Sequence, residues 1–211
     1  MSKVLPLNCI DVSRETSERL MCFERVLLKW NPRINLVSRN SLEGFWERHV
    51  EDSAQVFKGF MDEPGSSGPL KWVDLGSGGG FPGLIVAILA AQHAPNCSVT
   101  LVESDQRKSA FLRSAARECD LEVRVLSKRI EQIENLEADV LSARALADLD
   151  QLLEFAEMHL KPDGIALFPK GAKWKKEVDN AAIRWRFDHV AIKSLTEEEA
   201  VVLKIKGVSR V

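Results

Sequence analysis

The chain has 211 residues, 45% of them hydrophobic, with 31 acidic and 29 basic side chains and a formal charge of −2. That composition fits one globular domain with a sizeable core and room for a small appendage, and excludes a uniformly basic polyanion binder, so any nucleic acid must meet a local patch. Cys9, Cys22, Cys97 and Cys119 lack zinc-site spacing, and no apolar run approaches the about 20 residues that cross a bilayer. The N-terminus also lacks a signal core, so a cytoplasmic protein with no metal site is expected.

Between Asp11 and Trp30 the residues Leu20, Phe23, Val26, Leu27 and Trp30 recur at helical spacing, and Pro32 ends the pattern. A second helix is expected over residues 41–60, capped by Ser41, with Phe45, Trp46, His49, Val50, Val56, Phe57 and Phe60 on one face. Together they make a helical cap over residues 1–62, followed by a Pro/Gly/Ser linker over 63–69. From residue 70 to 211 the pattern alternates. Strands are expected at 70–75, 98–103, 121–126, 138–143, 164–169, 187–194 and 200–206, with helices near 82–92, 106–119, 147–160 and 173–185. This predicts an α/β, Rossmann-like core with a mostly parallel seven-stranded sheet covered on both faces.

The first strand ends in Val73-Asp74-Leu75-Gly76-Ser77-Gly78-Gly79-Gly80-Phe81-Pro82-Gly83. A strand-to-helix turn this rich in glycine lets backbone approach a ligand where side chains would collide. Two registers fit: Gly76-x-Gly78-x-Gly80, and Gly78-x-Gly80-x-x-Gly83, which is the dinucleotide fingerprint. Asp74 favours the first, because a carboxylate at the strand end repels a pyrophosphate and attracts the ammonium and sulfonium of S-adenosylmethionine. Glu103, at the end of the next strand, is placed to accept ribose hydroxyls from either cofactor. Ile130 and Glu131 follow the third strand, where an apolar side chain and an acid can meet an adenine ring.

Ser142-Ala143-Arg144-Ala145 follows the fourth strand, at the carboxyl end of the sheet. Neither an Asn- or Asp-Pro-Pro-aromatic motif nor a nucleophilic cysteine is present there, which disfavours methylation of exocyclic amines and of pyrimidine C5. Across 170–186, which opens with Lys170-Gly171-Ala172-Lys173, six basic residues face two acids. That is a candidate RNA rim.

These motifs, with Trp30-Asn31-x-x-x-Asn35-Leu36 and Arg48-His49-x-x-Asp52-Ser53, resemble the bacterial 16S ribosomal RNA guanine-N7 methyltransferase family, also called glucose-inhibited division protein B. They follow the family's order through nearly the whole chain. The resemblance implies a class I S-adenosylmethionine-dependent methyltransferase. By it, Gly76, Phe81, Ile130, Glu131 and Arg144 match cofactor-contacting positions, joined on the residue reading by Asp74, Gly78, Gly80 and Glu103. Arg48, His49, Lys170 and Lys173 are the expected RNA contacts. The implied partner is 16S ribosomal RNA in the small subunit, met by a monomer. Guanine N7 carries a lone pair and no proton, so no general base is needed and no catalytic residue is assigned. The competing readings are an NAD-dependent oxidoreductase on the second glycine register and a non-catalytic ribosome-assembly factor that binds RNA.

Overall fold

The structure, a computed structural model, describes residues 7–63 and 69–211. Most of the expected linker, residues 64–68, and the first six residues of the expected cap lie outside them. Seven strands form one sheet in the order β3-β2-β1-β4-β5-β7-β6. In it β1 (Leu70–Leu75), β2 (Cys97–Val102), β3 (Val123–Leu126), β4 (Ala138–Ala143) and β5 (Leu160–Lys170) are parallel. The last two, β6 (Trp185–Lys193) and β7 (Val201–Arg210), pair antiparallel, with β7 against β5. The chain order reverses between β1 and β4, so their carboxyl ends open the crevice where such sheets hold ligands.

Alternation along β1 divides the core. Leu70 and Trp72 point to the side covered by α1 (Arg14–Ile34), α3 (Asp52–Met61), α4 (Gly83–His93) and α5 (Gln106–Glu118). Val73 and Leu75 point to the side covered by α6 (Leu149–His159) and α7 (Trp174–Ala181). Helix α4 is apolar all round because it lies between the sheet and the cap, with Gly83 through Ala90 all buried. Among the described residues, no helix is long and apolar enough to cross a membrane.

Two expectations about the cap need correcting. Pro32 does not end α1 but sits inside its last turn, at the cost of the one hydrogen bond its missing N–H would give the Leu28 carbonyl, and Asn35 closes the helix in the left-handed conformation with φ 48°. The predicted helix over 41–60 is in fact broken. Ser38, not Ser41, caps a four-residue helix α2 (Arg39–Leu42), and a π-helical turn (Trp46–Glu51) precedes α3. Gly44, a poor helix former, lies in the break, and the wider turn brings His49, Val50 and Glu51 inward. Asn31 fixes the connection: its side chain receives the Leu36 and Val37 amides at 2.7 and 2.9 Å and donates to the Val37 carbonyl at 3.1 Å.

Candidate functional site

The loop after β1 has the conformation its glycines allow. Gly76, Gly78 and Gly80 all have φ between 49° and 88°. At Gly76 a Cβ would also lie 2.6 Å from Leu146 Cδ1, so the loop can rest on the β4–α6 connection only without a side chain there. Glu103 is buried just past β2, and its two oxygens receive the amides of Gly78 at 2.9 Å and Asp105 at 2.8 Å. The carboxylate thus ties the loop to β2, and each oxygen keeps a further lone pair.

Between these elements lies a cavity of about 350 Å³. Gly76, Gly78 and Glu103 form one wall, Ile130, Leu146 and Phe155 an apolar one, and Lys108, Lys128, Arg129 and Glu131 the rim. A second cavity, of about 620 Å³, adjoins it and shares Ala145 and Ala147 as wall. It is bounded by Arg48 and Asp52 of the cap, by Arg144 and Lys170, and by Ser194, Thr196, Glu197 and Ala200 of the β6–β7 connection. A larger hollow of about 1100 Å³ lies at the opposite, amino-terminal end of the strands around Lys71, Cys97 and Arg124. It has neither a glycine loop nor strand-end acids, so the chemistry belongs to the adjoining pair.

Arg144 stands where the second cavity meets the cap. It donates to the Arg48 carbonyl at 3.1 Å, meets Asp52 Oδ2 at 3.4 Å and His49 Nδ1 at 3.0 Å, and lies 5.0 Å over the Phe81 ring. Burial lowers its pKa, and Asp52 opposes that shift. His49 is pushed down to about 4, first by burial and then by the charges of Arg144 and Arg48. It is therefore a neutral acceptor, since Arg144 can only donate.

A model of the family described as GidB, rRNA small subunit methyltransferase G, matches residues 16–204. The chain belongs to this family. The ribosomal RNA small subunit methyltransferase G of Ruegeria sp. (strain TM1040) is 62% identical over 202 residues, 96% of each chain, and that of Ruegeria pomeroyi 61% over 204 residues, 97% of each. Among solved structures, a SAM-dependent methyltransferase from Aquifex aeolicus superposes with TM-score 0.58 at 14% identity, covering 86% of this chain and 97% of that one. The ribosomal protein L11 methylase of Lactobacillus delbrueckii subsp. bulgaricus gives 0.57 at 17% identity, covering 77% and 78%. These likenesses bear out the class I fold, and family membership bears out a methyltransferase of small-subunit ribosomal RNA.

Within this family member, Gly76, Gly78, Glu103, Ile130 and Glu131 line one cavity. Six other residues are placed differently from expectation: Gly80 is buried in the loop against Leu84, Arg144 lines the second cavity and not the first, and Asp74, Phe81, His49 and Lys170 turn away from the surfaces expected of them. Asp74 lies under the loop instead of facing the cleft: it is fully buried, and its Oδ1 accepts from Ser142 Oγ at 2.7 Å while Ser142 accepts from Trp72 Nε1 at 2.9 Å. Its Oδ2 completes no hydrogen bond, although the Gly83 amide lies close enough to favour the charged form, and burial raises the carboxyl to about 6. Phe81 turns into the cap, stacking on His49 at 4.7 Å and meeting Phe23 edge-on at 5.3 Å, because burial of its ring is available only there.

His49 is buried in the same cluster, with 8% of its surface exposed. Lys170 is also removed from the rim, since its ammonium is buried against the Ala147 carbonyl at 2.9 Å and Glu177 at 2.7 Å. Lys173 and Arg48 remain exposed. The reading of the sequence missed Lys108, Lys128 and Arg129 at the rim and Leu146 and Phe155 in the wall. Lys128 and Arg129 were legible as neighbours of Ile130; Phe155 comes from the far side of α6 and carries no local signal.

Proposed function

We propose that this chain transfers the methyl group of S-adenosylmethionine to N7 of a guanine in 16S ribosomal RNA, acting as a monomer on the small subunit in the cytoplasm. The observation that carries the reading is the cavity under the glycine loop, whose far wall, Ala145 and Ala147, is also the wall of a second cavity beside Arg144. Its residues fit the donor. The loop leaves no room for a Cβ at Gly76, Glu103 offers acceptors for ribose hydroxyls, and Ile130, Leu146 and Phe155 offer an apolar slot for an adenine. A pyrophosphate has no place beside Glu103 and Glu131, which disfavours the dinucleotide alternative.

S-adenosylmethionine supplies an electrophilic methyl on a sulfonium. The protein's part is to hold a ring nitrogen in line with it and to exclude water. Guanine N7 gives up no proton on attack, so neutral His49, held as acceptor by Arg144, serves the architecture and not proton transfer. Arg144 is the guanidinium nearest the shared wall and orients the base or the donor. Exposed Lys173, Lys175 and Lys176 on one side and Lys108, Lys128 and Arg129 on the other supply phosphate contacts.

The test is methylation of small subunits lacking the modification, with the product nucleoside identified after digestion. Formation of 7-methylguanosine in 16S RNA is expected, with stabilisation by S-adenosylhomocysteine and none by NADH. No 7-methylguanosine, or stabilisation by NADH alone, refutes the proposal. Arg144→Ala is expected to lose most of the rate; an unchanged rate and cofactor affinity would remove Arg144 from the site.

A further inference from the structure

The second cavity is built by four segments far apart in sequence, and one side chain joins three of them. Asp52, at the start of α3, meets Arg144 of the β4–α6 connection through Oδ2 at 3.4 Å. Its Oδ1 receives the Thr196 hydroxyl of the β6–β7 connection at 3.2 Å. One turn along the same helix, Gln55 accepts the Leu195 amide at 2.7 Å and reaches back to Asp52 at 3.5 Å. Arg144 and Thr196 both line the cavity, as does Asp52 itself.

We infer that this cavity receives the target guanine, extruded from the RNA, and that Asp52 is the positioning residue that sets its walls. The assignment rests on the methyl-transfer reading above and extends it to the place of the base. Chemistry on a base requires the base to leave its stack and enter a pocket. Among the described residues the two cavities share Ala145 and Ala147 in their linings, so they adjoin at small side chains. A base edge at that junction would face a methyl group presented from the donor cavity.

The lining also distinguishes base from backbone. Carboxylates of Glu47, Asp52, Glu177 and Glu197 outnumber the cations Arg48, Arg144 and Lys170 on this lining, and Arg144 and Lys170 are already engaged by protein acceptors. A phosphate would be repelled there, whereas guanine presents the N1 and N2 hydrogens that acceptors favour. Asp52 acts through its neighbours: its charge keeps the Arg144 fork against the cap, and its second oxygen keeps the 194–200 connection closed over the base. Removing the charge takes the carboxylate partner from Arg144, which retains only the Arg48 carbonyl and His49, and leaves a single acceptor oxygen for Thr196.

The experiment compares Asp52→Asn and Thr196→Val with the unaltered enzyme on small-subunit particles, reading kcat, KM and the affinity for S-adenosylhomocysteine separately. Asn keeps the size of the side chain, and Thr196→Val removes only one hydroxyl from an accessible connection, so the fold survives in at least the second variant. Asp52→Asn is expected to lower kcat/KM for the particle by about ten- to a hundredfold through misplacement of the base. Thr196→Val should raise KM by a smaller factor, and both should bind S-adenosylhomocysteine as the parent does. Unchanged kcat and KM in both variants overturns the inference. So does a parallel loss of particle turnover, cofactor affinity and thermal stability, which marks Asp52 as structural only. If the unaltered enzyme forms no 7-methylguanosine, the methyl-transfer reading fails first, and that failure is visible before either variant is made.

Discussion

Replacing Gly83 by alanine tests how tightly the cofactor loop is bolted to the sheet. A Cβ built on Gly83 falls 2.4 Å from Leu101 Cδ2, 2.6 Å from Asp74 Oδ2 and 2.9 Å from Asp74 Cβ. Carbon atoms in contact normally stand about 3.5–4.0 Å apart, so the deficit is about 1 Å. Neither neighbour can retreat freely: Leu101 and Asp74 are both fully buried, and Asp74 is held by Ser142. The start of α4 must therefore lift away from β1 and β2. Overpacking of this kind costs about 1–3 kcal/mol. For a chain of this size that lowers Tm by about 2–12 °C.

Gly171→Ala is the matched control. Nothing lies within 4 Å of its Cβ position, and its φ is outside the left-handed region, so the change should be neutral or raise stability by about 0.4–1 kcal/mol. Thermal denaturation followed by far-ultraviolet circular dichroism reads both. Because α4 starts at the loop, Gly83→Ala should also weaken binding of S-adenosylhomocysteine. A Gly83→Ala protein that melts within a degree of the parent and of Gly171→Ala would refute the packing argument.

Two buried groups give stability opposite dependences on pH. The Asp74 carboxyl is raised from 3.8 to about 6, so the folded state binds the extra proton and stability falls as pH rises between those values; ionisation costs about 3 kcal/mol above that window. His49 is lowered from 6.5 to about 4, so stability falls as pH drops through nearly the same range. The parent should therefore show a shallow profile between pH 4 and 6.5, Asp74→Asn a steeper acid loss with higher stability at pH 7, and His49→Gln the reverse slope. Denaturant unfolding at half-unit steps checks this, and three superimposable profiles would contradict it. Separately, Lys170→Met should destabilise the fold by about 2 kcal/mol, because Glu177 loses its buried partner. Lys173→Ala should leave Tm unchanged and reduce the salt slope of RNA binding by nearly one. Equal effects of the two lysine changes on Tm would show that Lys170 is not the buried partner described.

The strands β1 and β4 run over 70–75 and 138–143 as the sequence pattern indicates, since each is a short apolar run bounded by clear turn residues. The glycine loop was legible for a similar reason: its conformation is imposed by local stereochemistry. What could not be read locally depends on distant partners. Phe81 looks like a cofactor contact until Phe23, Phe45 and His49 arrive from the cap to bury it. Lys170 looks like part of a basic run until α7 folds back and brings Glu177 to it. The break in the second cap helix follows from tertiary demand for His49 and Val50, which outweighs a helical periodicity that continues across Gly44. Asp148 caps α6 and starts it at Leu149, whereas the sequence pattern places Asp148 inside a helix beginning near 147.

The junction of the two cavities at Ala145 and Ala147 has a consequence for inhibitor chemistry. Ligands on its two sides are neighbours, so an adenosine-like group and a purine-like group joined by a short tether can occupy both cavities as one molecule. Once the first end is seated, the second binds at a high effective concentration fixed by the tether, and the affinities combine. A larger residue at 145 would crowd the junction and abolish that gain while leaving each half-ligand its own weak site.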